Sequence, residues 1–403
     1  MTVPRTWPLV LRLGTAQTLA WGSTYYLPAL LARPMADGLG LPISQIWTAF
    51  TVALLAPAVL GPFAGRAIDR WGGRPVLMGT SVLFALGLGS LSQVQGSTSL
   101  MLAWLLIGMA MGCGLYEAAF AALVRLHGTQ ARAAITGITL IAGFASTVGW
   151  PLTALLESEL GWRGACLGWA GLHLLLGLPL NASIPRATAL PEPPQGAGAD
   201  TPPHATPHAP PHTPPHSPPP RHTAWVLSYV FAATWFISTA MAAHLPQLLV
   251  ASGATLAGAV AIGALVGPAQ VAGRMLEFGF LRRLHPLLSA RAAAVAHPVG
   301  VVCWMVFGPL AGPAFALLHG AGNGVLTIAK GTLPLVYFGP VGYGQRQGIL
   351  MAPSRVAQAF APLVFGLCIE RWGSGALWIS GGLGLSALAA LLWLRTAPPQ
   401  PPH

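Results

Sequence analysis

Residues Gly61 to Pro75 read GPFAGRAIDRWGGRP. Four charges, Arg66, Asp69, Arg70 and Arg74, fall within nine residues of a chain that is only 7% charged. Long apolar runs flank the stretch on both sides. Its glycines suit a tight turn. A short basic connection between two apolar runs is what the cytoplasmic side of a membrane protein carries, because Lys and Arg are retained there.

The rest of the composition agrees. The chain has 403 residues, is 54% hydrophobic and has a mean hydropathy of +0.64, which excludes an ordinary soluble domain. The formal charge is +11, but Lys330 is the sole lysine, and the arginines lie between apolar runs rather than on one basic face. The basicity therefore reads as membrane topology and not as nucleic-acid binding. Cys113, Cys166, Cys303 and Cys368 each occupy a separate apolar run with no CxxC pair, so no disulfide framework is implied. The N-terminal MTVPRTWPLVLRLG has no signal-cleavage pattern and reads as a cytoplasmic start leading into a retained helix. No nucleophile–base spacing, phosphate loop or metal motif points to an enzyme or to a cofactor.

About 20 mainly apolar residues cross a bilayer. Twelve runs meet that length, at 11–33, 43–66, 75–95, 99–126, 131–156 and 163–183, then 223–250, 255–279, 285–307, 310–337, 346–370 and 375–395. With the N-terminus in the cytoplasm, fifteen arginines fall on the inner side, against Arg33, Arg163 and Arg371 outside. That asymmetry sets the orientation and places both termini in the cytoplasm. Between runs six and seven lies a segment of different character, Ala187 to Arg221. It is rich in proline, with His204, His208, His212 and His216 at every fourth residue. Such a segment buries no core and reads as an extended linker, with metal binding by its histidines as the alternative.

The chain is also internally repeated. Gly137-x(13)-Pro151 in the first half matches Gly348-x(13)-Pro362 in the second. Gly65-Arg66-x-x-Asp69 falls against Gly273-Arg274-x-x-Glu277, and Gly112-x-Gly114 against Gly322-x-Gly324. The expected organisation is a first bundle over 1–186, a linker over 187–221 and a second bundle over 222–403.

Three charges stand inside apolar runs: Glu117 in GCGLYEAAF, Lys330 in LTIAKGTLPLV and Arg355 in MAPSRVAQAFAP. Each costs about 2.5–3.5 kcal/mol on insertion scales, so each needs a function or a partner. Either Lys330 and Glu117 form a permanent packing ion pair, or Lys330 binds an anion while Glu117 carries a proton or is the ion-pair partner that Lys330 releases when substrate arrives; Arg355 assists or snorkels towards the inner face. Tyr25, Tyr26 and Trp235 offer stacking and hydroxyl contacts to a ligand. His244 and Asn323 are further candidates, whereas His173 reads as a packing residue.

The pattern Gly65-x-x-x-Asp69-Arg70-x-Gly72 resembles the loop between the second and third helices of major facilitator superfamily transporters, and the duplicated six-run halves extend that resemblance over nearly the whole chain. Where the family usually has another basic residue, this chain has Gly73. The resemblance implies an all-α membrane protein of twelve transmembrane helices in two pseudo-symmetric six-helix bundles. It implies a gating role for Gly65, Asp69, Arg70, Gly72 and Arg74, with Asp69 near helix N-termini and arginines of neighbouring helices. It also places Glu117 and Lys330 on opposite sides of one central cavity. Proton-driven drug exporters of the family carry an arginine in helix four, where this chain has Trp104-Leu105-Leu106-Ile107-Gly108, and a Gly-Pro pair in helix five, where it has Gly149-Trp150-Pro151. The expected function is secondary transport of a small organic anion, by symport or exchange, through alternating access. The alternatives are efflux of a drug, metal or metalloid, and a non-transporting sensor. The expected partners are a small-molecule substrate, a coupling proton and the lipid of a bacterial inner membrane, with the chain acting as a monomer.

Overall fold

The computed structural model describes residues 6–186 and 221–395. The linker and its possible metal site concern residues 187–220, which lie outside the described residues. Every regular element among the described residues is helical.

The first half begins with α1 (Thr6–Gly22) and α2 (Pro28–Leu39), one path bent where residues 23–27 turn. The helical path is therefore longer than the expected 11–33. Next come α3 (Ile43–Trp71) and α4 (Gly73–Ser92). After them, α5 (Ser97–Gly114) and α6 (Tyr116–His127) are separated by Leu115 in an extended conformation. α7 (Arg132–Ala142) leads into α8 (Ala145–Leu172), which Gly161 breaks at φ 68°. A π-helical turn, His173–Gly177, runs on into α9 (Leu178–Ala182). The second half contains α10 (Arg221–Ala251), α11 (Leu256–Ala264), α12 (Val266–Gly279), α13 (Pro286–Phe307), α14 (Gly312–Phe338), α15 (Tyr343–Trp372) and α16 (Ala376–Trp393).

The deciding stretch is not the loop its glycines suggest. Residues 61–71 are the last three turns of α3, and the connection to α4 is Gly72 alone, at φ 85°. A left-handed glycine lets the chain reverse in one residue. Residues 61 and 65 are thereby left on a helix face, where their missing side chains set a helix–helix distance.

That distance joins the two halves. A Cβ on Gly65 would overlap the backbone carbonyl of Gly344, and Gly348 lies against the backbone of Gly61 and Pro62. Two small-xxx-small faces, Gly61/Gly65 on α3 and Gly344/Gly348 on α15, thus bring backbones from opposite halves into contact, as helices in lipid do where there is no bulk to separate them. The buried apolar residues fall into one cluster spanning Leu9 to Ile184, joined by Leu335, Tyr343 and Ala359, and two smaller clusters between Val226 and Leu394. Large apolar side chains such as Leu175 and Trp225 face outward. Among the described residues, six apolar helical stretches are long enough to cross a membrane, several of them containing more than one helix.

Gly65→Ala is expected to destabilise the protein by about 1–3 kcal/mol, the usual cost of overpacking. Gly61→Ala, whose Cβ would find its nearest neighbour at 3.7 Å, is expected to be neutral. Thermal unfolding of the two variants in detergent tests the contrast, and equal midpoints would remove the close-approach argument.

Candidate functional site

Among the described residues, four polar links tie the halves together. The first is Asp69, at the end of α3. Its Oδ1 accepts from the Gly344 N–H at 2.9 Å and its Oδ2 from the Gln345 N–H at 2.8 Å. These are orphan donors of the first turn of α15, where the helix dipole favours an anion. The expected helix N-terminus is found, and an arginine of that neighbouring helix, Arg346 in the first turn of α15, lies near enough to interact electrostatically with Asp69. Among the described residues Asp69 makes no ion pair. Arg66 and Arg70 are exposed and lie over Phe63 and Trp71, each at 5.9 Å. Gly72 serves the turn, and Arg74 is half-buried with no salt bridge among the described residues. The carboxylate takes backbone donors because Gly65 lets α15 approach closely enough to present them.

The second link is Arg132, at the start of α7. Its Nη2 donates to Glu277 Oε1 at 2.7 Å, and Nη1 donates to the Leu284 carbonyl at 2.7 Å. The third is Arg274 on α12, buried, whose Nη1 donates to the Thr139 carbonyl at 3.0 Å. The repeat Gly273-Arg274-x-x-Glu277 therefore occupies the same kind of position as Gly65-Arg66-x-x-Asp69. Sequence reading took Arg274 for a topology arginine. Its alignment with Arg66, and the acid three residues on, were the signals that it faces the other half.

The fourth link corrects an expected pairing. Glu117 bonds Arg355 and not Lys330: Arg355 Nη2 donates to Glu117 Oε2 at 2.6 Å, with the two side chains 4% and 16% exposed. Arg355 does not snorkel. Its Nη1 donates to Gln358 Oε1 at 2.8 Å. Lys330 turns elsewhere for a geometric reason. Gly331 backs directly onto Phe120 and Ile135, so that side of α14 faces the first half. The residue before it points about 100° around the helix, towards α10. There Lys330 Nζ lies 4.2 Å from the ring centroid of Trp235. The Arg355 guanidinium carbon lies 5.1 Å from the same ring.

Trp235 is thus shared by two buried cations, of which one has a carboxylate partner. Trp235 Nε1 and Gln358 Nε2 are buried donors with no hydrogen-bond partner, and Gln347 Oε1 and Ser354 Oγ are likewise unpartnered. An aromatic cluster lies on the first-half side. Tyr25 packs against Trp21 and Tyr26, each at 5.3 Å, and Trp21 against Tyr116 at 5.0 Å, next in sequence to Glu117.

The remaining expected residues lie apart from this centre. His244 Nε2 bonds the Pro362 carbonyl at 2.8 Å. Asn323 lines a small cavity inside the second half. His173 is satisfied, as expected of a packing residue: its Nε2 lies 2.7 Å from Ser23 Oγ, and it stacks on Phe84. The sequence reading missed Tyr116 and Gln358, and also His297 and His319 of that second-half cavity. Only histidines within apolar runs signalled the last two.

Residues 13–318 match the family description Major Facilitator Superfamily. The chain belongs to that superfamily. Its fold and membrane-spanning helices are therefore those of a transporter family and not of an enzyme. An uncharacterized 38 kDa protein in the 23S RNA operon of Thermoproteus tenax is 28% identical over 91% of this chain and 97% of its own length. The multidrug resistance protein MdtL of Klebsiella pneumoniae (strain 342) is 24% identical over 90% of this chain and 86% of its own. Among solved structures, the human organic anion transporter MFSD10 (TETRAN) superposes with a TM-score of 0.71 at 16% identity, over 96% of this chain and all of the other. At that identity it shows the fold alone.

Breaking a buried ion pair on one side costs about 3–5 kcal/mol, because a charge is left uncompensated. Arg355→Gln is expected to destabilise the protein on that scale, and the double variant Glu117→Gln/Arg355→Gln to recover most of the loss. A double-mutant cycle on thermal unfolding measures this, and additive losses would mean that the pair is uncoupled.

Proposed function

We propose that this chain is a secondary transporter that moves a small organic anion across a bacterial inner membrane by alternating access. One observation carries the choice of substrate. Lys330 and Arg355, each 4% exposed, share Trp235, and only Arg355 has a carboxylate partner. Two cations against one carboxylate leave an excess positive charge in a buried place, where charge is costly unless a counter-ion arrives. The unpartnered N–H donors of Trp235 and Gln358 suit a carboxylate's several acceptor sites. MFSD10, which shares the fold, is itself an organic anion transporter.

The mechanism follows from competition. An anion drawn to Lys330 also attracts Arg355, and so weakens its bond to Glu117. That bond is one of the four links between the halves, so substrate binding loosens the closed face. In this reading the chain crosses the membrane twelve times, with the α3–α4 turn and both termini in the cytoplasm and two bundles over 1–186 and 222–403. The contacts of Asp69, Arg132 and Arg274 then make this the state closed towards the cytoplasm. The transporter acts as a monomer. A second reading, export of a toxic aromatic solute, draws on the Trp21–Tyr25–Tyr26–Tyr116 cluster and on the name of the MdtL relative.

A thermal-shift screen of purified wild type and Lys330→Ala in detergent, with benzoate, succinate, tetraphenylphosphonium, zinc and arsenite, separates the two readings. Stabilisation by a carboxylate that disappears in the variant is the expected result. Stabilisation by a cation or by arsenite, unchanged in the variant, would make Lys330 a packing residue and favour export.

Asp69→Asn keeps an acceptor for one N–H but loses the charge that the helix terminus favours, worth about 0.3–2 kcal/mol. In proteoliposomes it is expected to slow uptake of the stabilising carboxylate several-fold, with insertion and folded fraction unchanged. Uptake at the wild-type rate would refute the latch.

A further inference from the structure

The second half encloses a pair of buried histidines on α13 and α14 that takes no part in the links described above. His297 Nδ1 lies 3.0 Å from His319 Nδ1, and His297 Nε2 lies 3.2 Å from Ser380 Oγ on α16. Both rings are buried, and His319 stacks against Phe315. They line a cavity of about 30 Å³, together with Thr234 and Asn323. That is room for a water molecule or two, with polar groups to hold it.

The hydrogen bonds fix where each proton sits. Ser380 Oγ lies 2.9 Å from the Leu377 carbonyl, which only accepts, so the hydroxyl proton is committed to it. Ser380 Oγ must therefore accept from His297, whose proton is then on Nε2. A neutral imidazole with Nε2–H has a bare Nδ1. His297 Nδ1 consequently accepts, and His319 donates through Nδ1–H. That leaves the His319 Nε2 lone pair as the open end of the chain, and it takes no partner among the described residues.

We propose that His319, oriented by His297 and Ser380, is the proton-binding group of this transporter, loading and releasing its proton at Nε2 through the cavity. The proposal rests on the transporter reading of the fold and is independent of the choice of anion. The step is a simple protonation: the Nε2 lone pair takes a proton from cavity water, and the positive imidazolium keeps its Nδ1–H donated to His297. The adjacent elements bring no competing carboxylate. α16 contributes Ser380 and carries no titratable side chain, and α10 presents Thr234 and Ile237 to the cavity. On α12, Arg274 and Glu277 bond Thr139 and Arg132. On α13, Arg291 bonds the carbonyls of Leu391 and Leu394, and Cys303 lies beyond His297. Glu117 on α6 and Arg355 on α15 bond each other. Lys330 is eleven residues further along α14, roughly 16 Å at the helical rise. Asn323 and Thr327 lie between, and Thr327 Oγ1 bonds the Asn323 carbonyl. A proton on His319 adds positive charge to the half that holds Lys330, so proton and anion favour each other's binding.

Two measurements test this. Histidine-selective ¹⁵N NMR of the full chain in detergent, compared with His319→Gln, is expected to show one ring whose bare nitrogen is Nε2 and becomes protonated as the pH is lowered. That signal should be missing in the variant, and His297 should remain the Nε2–H form. In proteoliposomes, His319→Gln is expected to retain counterflow of benzoate or succinate while losing accumulation driven by a pH gradient. His297→Gln, a positioning variant, should shift the pH dependence of accumulation without abolishing it. The proposal is overturned if no titrating resonance disappears in His319→Gln, or if that variant still accumulates substrate down a proton gradient. If the wild type shows the NMR signature but no counterflow of either carboxylate, the anion reading fails and the proton site stands.

Discussion

Two backbone N–H groups at the start of α15 point at one carboxylate belonging to the other half of the molecule. Much of the architecture around them makes that contact possible. Asp69 reaches Gly344 and Gln345 because α3 and α15 meet backbone to backbone at Gly61, Gly65, Gly344 and Gly348. The approach in turn depends on α3 remaining helical as far as Trp71 and reversing at Gly72. In a setting with little water, a carboxylate and two orphan amides satisfy one another.

The same constraint accounts for the chemical variety of the links between the halves. Asp69 uses a helix terminus, Glu277 an arginine, Arg274 a carbonyl, and Glu117 an arginine from the far half. The repeat places an acid at matching positions in α3 and α12, yet the two acids are satisfied differently. Arg132 extends across from the start of α7 to Glu277, while Arg66, in the register of Arg274, faces outward. Each link depends on charge and direction, so each can be broken and remade.

Lys330 is the exception to this local pairing. Its neighbours give it an aromatic face in place of a carboxylate, an attraction worth about 2 kcal/mol when desolvated. Trp235 carries Arg355 as well, so a single indole connects the unpaired cation to the ion pair joining the halves. The second half adds a separate polar chain, His319 to His297 to Ser380, whose direction is set by a hydroxyl committed to a backbone carbonyl.

Much of this was legible in the sequence. Apolar runs of membrane length, arginines between them, and the repeated glycine–acid spacing determined a duplicated helical membrane protein, because lipid tolerates few alternatives for a polar backbone. Glu117, Lys330 and Arg355 were visible because a charge in an apolar run is too costly to stand there without a partner or a use. Their pairing was not visible. Whether Glu117 meets Lys330 or Arg355 depends on a rotation of about 100° per residue around α14 and on which face Phe120 occupies. Nor could the sequence tell a glycine that turns the chain from one that admits another helix: Gly72 does the first and Gly65 the second. Length and hydropathy are properties of the chain itself, and they determined the fold. Which charge meets which depends on how helices far apart in sequence are packed and rotated, and only the tertiary structure decided it.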